Sequence, residues 1–295
     1  MRVLVTGATG ALGGRLLQEL RRGTDYQIRI LMRKEDIDKS EFADIEKVNG
    51  DLRQIDSLIR ATKGIDTIIH LAAITHTHKT DLYDEVNRFG TENLIQAAEY
   101  SGVRRFIFIS SKTASSNGGA YAKSKMLAEE VLIRSKCDWV ILRPAEVYGM
   151  DSNGSIEKII NLVKKGYYLP IIGNGDYTLA PVFVDDVVNG IVSTIDNRKA
   201  TRKVFVLEGP KEYTFIGLVE VLEKQLKRKI HKVYLPVFVA KILALFLYIL
   251  KSEILYRDQI PRLLCRKTKG HNSSFDDLGI KPRSLEEKIE TICHT

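Results

Sequence analysis

Cysteine is scarce in this 295-residue chain. Cys137, Cys265 and Cys293 stand far apart, are odd in number and lack metal-ligand spacing. That excludes a disulfide scaffold and a structural zinc, leaves no metal site to expect, and points to a reducing compartment. No charged leader precedes an apolar run in the opening MRVLVTGATG, so no signal peptide is read and a cytoplasmic location is expected. No apolar run reaches the ~20 residues that a membrane-spanning helix needs. No internal repeat or low-complexity linker divides the chain, and no basic motif interleaved with aromatics suggests nucleic acid.

What is present is ordinary for a globular protein: 44% hydrophobic and 28% charged residues, which excludes a disordered or collagen-like chain. At about 150 residues per domain the length fits one large domain or two intimate ones. The net charge of +8 is uneven. Residues 1–200 hold 27 basic and 26 acidic side chains, whereas residues 201–295 hold 18 and 11. The basic final third suits a phosphorylated substrate or a membrane surface, or is simply a solvated face.

The first half alternates short apolar runs (Val3–Thr6, Gln27–Met32, Lys47–Val48, Thr67–His70, Phe106–Ser110, Trp139–Leu142) with helical patterns (Leu12–Arg21, Gln54–Ala61, Asp84–Tyr100, Ala122–Ser135). This predicts an α/β fold, a doubly wound parallel (Rossmann) sheet over residues 1–150. A smaller mixed lobe is expected over 151–295, with some segments returning to the first domain. In it, Lys203–Glu208 reads as a strand, and 214–228 and 234–250 read as helices.

Gly7-Ala-Thr9-Gly10-Ala11-Leu12-Gly13 follows the first strand and opens a helix. Gly7 permits a tight turn, Gly10 lets backbone approach a pyrophosphate, and Gly13 lets the helix pack on the strand. The helix N-terminus offers free N–H groups to phosphate. The second strand ends without an acid for a ribose 2′-hydroxyl until Glu35. Arg33, with Arg15 in the first helix, suits a 2′-phosphate, so NADP is expected over NAD. Further along, Ser111 ends a strand and Tyr121 and Lys125 sit four apart on a helix, sharing one face. A lysine beside a phenol favours phenolate, and such a tyrosine exchanges protons with an alcohol or carbonyl during hydride transfer.

Together these residues resemble the extended short-chain dehydrogenase/reductase superfamily, in its NAD-dependent epimerase/dehydratase, nucleotide-sugar branch. The resemblance covers nearly the whole chain. It implies that Gly7, Thr9, Gly10, Ala11, Leu12 and Arg15 form the cofactor turn, with Asp51 and Leu52 at the adenine. Leu71, Ala72 and Ala73 then pass over the cofactor, with Asn87, Pro144 and Val147 nearby. Ser111, Tyr121 and Lys125 match the catalytic triad, with Tyr121 as acid/base, Lys125 lowering its pKa and holding the nicotinamide ribose, and Ser111 orienting the reacting oxygen. His76, Ser111, Lys112 and Tyr148 are expected at the substrate, although His76 and His78 also read as plain loop histidines. Asp185 and Asp186 are expected to cap the following helix. Lys112 and Thr113 stand where the family's dehydratases carry an Asp-Glu pair, so 4,6-dehydration is not expected.

The implied function is hydride transfer at C4 of a UDP-hexose-like nucleotide sugar, as an epimerase. The alternatives are an NADPH-dependent 4-ketoreductase, a reductase of an apolar ketone, or a non-catalytic nucleotide sensor or assembly subunit. Family resemblance also implies a homodimer through 84–100 and 122–135. The apolar run Leu235–Leu250 reads as a buried helix of the small lobe, with an interfacial membrane helix as the alternative.

Overall fold

A computed structural model describes the chain except for residues 34–41, 43, 151–153, 251–254, 266, 268–272 and 295. The side chains of 273 and 290–294 are also outside the description, so Glu35, Lys251 and the Cys293 thiol receive no structural account.

The first strand, β1 (Arg2–Thr6), leads through the glycine turn into α1 (Ala11–Gly23). There follow β2 (Gln27–Met32), β3 (Glu46–Asn49), α2 (Ile55–Thr62) and β4 (Thr67–His70). A π-helical turn, Tyr83–Phe89, runs directly into α3 (Gly90–Tyr100). Then come β5 (Arg105–Ile109), α4 (Gly119–Ile133) and β6 (Asp138–Pro144). The second half holds β7 (Val147–Tyr148), α5 (Ser155–Lys165), β8 (Tyr168–Ile172), β9 (Thr178–Leu179), β10 (Val182–Phe183) and α6 (Val184–Ile195). After these come β11 (Lys203–Leu207), β12 (Tyr213–Thr214), α7 (Phe215–Gln225), β13 (His231–Leu235), α8 (Val237–Ile249), α9 (Gln259–Leu264), α10 (Ser273–Asp276) and α11 (Leu285–His294).

Seven strands make one parallel sheet in the order β11-β6-β5-β4-β1-β2-β3. The doubly wound fold is thus as expected. Strand alternation sends Val3, Val5, Ile107 and Ile109 to one face, where they meet Leu16, Leu17 and Leu20 of α1 and Val187 and Ile191 of α6. Leu4, Phe106 and Phe108 point to the other face, against Leu58 of α2, Leu94 of α3 and Leu132 of α4. Both faces are therefore apolar, as a helix-covered parallel sheet requires. The strand order reverses between β1 and β4, which opens a crevice at their carboxyl ends.

The smaller lobe has its own core, built from Ile156 and Ile160 of α5, Leu169 and Ile171 of β8, Leu218 and Leu222 of α7, and Ile289 of α11. Its strands pair two by two: β10 with β7, β12 with β9, and β13 with β8. Within it the run from 234 to 250 divides. His231–Leu235 is a strand, and the helix starts only after Pro236. The expectation that this helix is buried is overturned: only Ala240 and Ala244 are buried, while Phe238 is 66% and Ile249 67% exposed.

Candidate functional site

The crevice at the strand ends is a cleft of about 990 Å³ that reaches from the glycine turn to the small lobe. Thr9, Gly10, Ala11, Arg15, His76, Ser111, Lys112, Tyr121, Pro144 and Val147 all line it. These are the parts of the turn, the triad and the substrate set that the fold brings together.

The turn works through backbone. Gly7 adopts φ +75°, and a Cβ there would lie 2.6 Å from Ala72 N. A Cβ on Gly13 would lie 2.2 Å from Gly7 O, so the start of α1 packs onto the turn only with glycine. Gly10 differs: its nearest neighbour would be Gly7 O at 3.4 Å, and its open side faces the cleft. No side chain caps α1, so its first N–H groups are left for a phosphate. A dinucleotide fits this cradle.

Beneath the turn, Ala72 N–H donates to Thr6 Oγ1 (3.3 Å), which lies 2.6 Å from His70 Nδ1. His70 Nε2 is 2.9 Å from Thr91 Oγ1, and that hydroxyl donates to Asn87 O at 2.6 Å. The consistent reading is a chain of donors with the imidazole proton on Nε2. Burial, with Lys125 adding to it, pushes the His70 pKa down to about 3. The ring therefore stays neutral and locks β1, β4 and the π-helical turn together.

Tyr121 is buried near the start of α4, within reach of Ser111, whose Oγ also meets Thr113 Oγ1 at 2.9 Å. Burial raises the Tyr121 pKa, and Arg262 and the Ser111 hydrogen bond pull it down. The neighbouring cation is thus not the one expected. The Arg262 guanidinium, on α9, lies 4.0 Å from the Tyr121 ring centroid. Lys125 instead donates to Ile109 O at 2.7 Å and sits 4.3 Å over the Phe108 ring. Its burial lowers its pKa to about 7, with Glu129 opposing.

Arg262 belongs to a clamp absent from the sequence reading. Asp258, the N-cap residue of α9, accepts from Ala120 N (2.5 Å) and Tyr121 N (3.3 Å) and pairs with Arg262 at 2.6 Å. A Cβ on Gly119 (φ +89°) would lie 2.5 Å from the Asp258 carboxylate. The i,i+4 spacing of Asp258 and Arg262 was the one signal available, and it resembles any surface helical pair.

Other expected residues sit away from the cleft or are already engaged. Arg15 Nε holds Asp185 at 2.6 Å and its terminal nitrogen holds Gln18, so the two-arginine grip on a 2′-phosphate is not formed. Arg33 is exposed at the end of β2, and its charge bears on Asp51. Asp51 is gripped by Arg53 at 2.6 Å, which holds its pKa below the usual carboxylate range. Leu52 is buried under Gly90. Leu71 N–H bonds Thr6 O, Ala73 is half-buried beside it, and Leu12 packs between the two lobes. The Asn87 amide bonds both Ile74 N and Ile74 O, fixing the loop after β4.

Two expectations are corrected outright. Tyr148 is fully buried, packs on Phe183 and donates to Ser284 O at 3.2 Å, so it is core and not substrate pocket. Asp185 and Asp186 do not cap α6, whose cap is Phe183. They lie in its first turn, paired with Arg15 and Arg283. Lys112 does line the cleft but is buried on Glu208 at 2.5 Å. Among the described residues no His/Cys/Asp/Glu group is arranged for a metal ion.

The model of the NAD dependent epimerase/dehydratase family matches residues 3–207. Among curated relatives, a UDP-glucose 4-epimerase of Vibrio cholerae is 29% identical, covering 81% of this chain and 80% of its own. An N-acetyl-alpha-D-glucosaminyl-diphospho-ditrans,octacis-undecaprenol 4-epimerase of Escherichia coli O157:H7 is 28% identical, covering 79% and 75%. Among solved structures, MoeE5 in complex with UDP-glucose and NAD superposes with a TM-score of 0.76 over 99% of this chain and 97% of that one, at 21% identity.

Proposed function

This chain belongs to the NAD dependent epimerase/dehydratase family, and from that premise we propose that it transfers hydride at a sugar carbinol carbon, the C4 of a nucleotide-linked hexose. The observation that carries the reading is that Tyr121, Ser111 and the open face of Gly10 border one cleft. Bound NAD supplies the hydride acceptor and donor. Gly10 and the uncapped start of α1 hold its phosphates. Ser111 Oγ positions the reacting oxygen, and Tyr121 takes the hydroxyl proton as the carbonyl forms, returning it when the carbonyl is reduced. Burial raises the Tyr121 pKa, and Arg262 over the phenol opposes that rise, which lowers the pH at which Tyr121 accepts the proton. Lys125, which donates to Ile109 O, is the residue we assign to a nicotinamide ribose.

NAD is favoured over NADP because Asp185 already engages Arg15. A cofactor that returns to its starting state fits epimerisation, and the Vibrio and Escherichia relatives carry that activity in their names. A second reading, a substrate with an apolar chain, is favoured by α8, whose Tyr248 touches His78 beside the cleft. Denaturing the purified protein and identifying the released nucleotide by mass tests the first reading. NAD released, with C4 epimers interconverted on a UDP-hexose panel, is the expected result. Preferential binding of NADPH with net ketone reduction overturns it.

A further inference from the structure

Helix α8 is apolar almost all round, yet it buries only Ala240 and Ala244, against Ile260, Ile172 and Leu255. Opposite them runs a stripe of Phe238, Ile242, Leu245, Phe246 and Ile249, at 66, 63, 45, 57 and 67% exposure. Their spacing of four, three, one and three residues keeps them on one helical face. The patch is at the upper end of what a monomeric soluble protein leaves uncovered, roughly several hundred Å². At ~1.5 Å per residue the helix is about 20 Å long, short of the ~30 Å hydrocarbon core, so it cannot cross a bilayer. Consistently, no described helix is long and apolar enough to span one.

We propose that α8 lies flat on an anionic lipid surface, with its exposed stripe in the acyl boundary. Charge selects this occupant. Residues 224–250 carry Lys224, Lys227, Arg228, Lys229, Lys232 and Lys241 and no Asp or Glu. Lys232 is paired with Glu223, but Lys241 is exposed on α8 itself, and Arg257 lies 5.7 Å over the Tyr248 ring at the helix end. Exposed Tyr234, before α8, and Tyr248, in its last turn, are of the residue type that settles at a headgroup boundary. A second copy of this chain fits worse. A two-fold contact through α8 would bring the Lys241 and Arg257 cations of both copies to one patch, with no carboxylate on α8 to meet them.

The patch connects to the cleft. The Tyr248 ring is 5.6 Å from His78, His78 is 4.5 Å from Tyr256, and Tyr256 is 5.6 Å from His76, which lines the cleft. Docking therefore brings the cleft mouth to the lipid surface, where a substrate with a polar head and an apolar chain resides. That consequence rests on the function proposed above, whereas the docking itself does not.

Sedimentation with sucrose-loaded vesicles tests the docking without any activity readout. The wild-type chain pellets with vesicles of phosphatidylcholine and phosphatidylglycerol, less with phosphatidylcholine alone, and less as salt rises. The double variant Phe238→Glu/Phe246→Glu, changed only at exposed positions and checked for unaltered circular dichroism, loses binding by about tenfold or more. Wild-type protein remaining in the supernatant with both vesicle types overturns the proposal, as does equal pelleting of the double variant. A dimer by light scattering that the same two substitutions dissociate, with no vesicle binding, assigns the face to a second copy and also overturns it.

Discussion

Two walls face each other across the cleft. On the sheet side the wall is backbone: Gly7 at φ +75°, Gly13 pressed on Gly7 O, and the uncapped N–H groups of α1. On the side of the small lobe the wall is charged side chains, with Asp258 and Arg262 closing on Tyr121. At Gly7 and Gly13 the backbone tolerates no added atom, so the turn on which the proposed phosphate cradle rests is rigid. Side-chain electrostatics is graded, so the second wall tunes a proton affinity. A change in the first is expected to be all-or-none, and a change in the second to shift a pH profile.

The largest effects break the first wall. Gly13→Val forces a side chain into Gly7 O and is expected to cost about 3 kcal/mol, read by urea unfolding. Gly10→Val adds a Cβ that meets nothing closer than 3.4 Å. It keeps the urea midpoint but weakens NAD binding by about tenfold or more in calorimetry. Equal destabilisation by both variants would erase the distinction between packing glycine and cradle glycine.

The second wall is sharpened by Arg262→Ala. Loss of the cation raises the Tyr121 pKa further, so the limb of the pH–rate profile that needs phenolate moves to higher pH and turnover near neutrality falls about tenfold. Arg262→Lys recovers part of both. A rate loss with no shift of the limb would make Arg262 a packing residue.

His70 tests the lock beneath the turn. Its folded pKa is depressed to about 3, so the stability it contributes is complete above the usual histidine range and is lost as pH falls toward 3. The wild type is expected to lose about 2 kcal/mol between pH 7 and pH 5 through this group, and His70→Asn to lose less over that interval. Parallel slopes in urea titrations would show that His70 does not carry the pH dependence of stability. The smallest effect is Tyr148→Phe, which deletes a buried donor to Ser284 O at a cost of about 1 kcal/mol and leaves KM unchanged. A raised KM would return Tyr148 to the substrate pocket.

The first wall was legible in the sequence because its residues are contiguous. Gly7, Gly10 and Gly13 sit between a strand and a helix, and Ser111, Tyr121 and Lys125 keep a strand-end and one-turn spacing. What joins distant segments was not legible. Asp258 meets Tyr121 across 137 residues, and Asp185 takes Arg15 across 170. Each pair looks locally like surface charge, so the roof of the site went unseen and an arginine clamp was expected where an ion pair stands. Composition marked α8 as the most apolar stretch, but whether such a helix is covered depends on neighbours that composition does not name. Tyr148 followed the family's motif in sequence, yet its ring turns into the core of the lobe.

In the proposed function Tyr121 moves the proton while the backbone wall holds the cofactor. Tyr121→Phe, assayed for interconversion of C4 epimers on the UDP-hexose panel and for NAD binding, tests it most directly. A fall in turnover of about 10²–10⁴ is expected, with NAD affinity within about threefold of wild type. Unchanged turnover in the phenylalanine variant would contradict it.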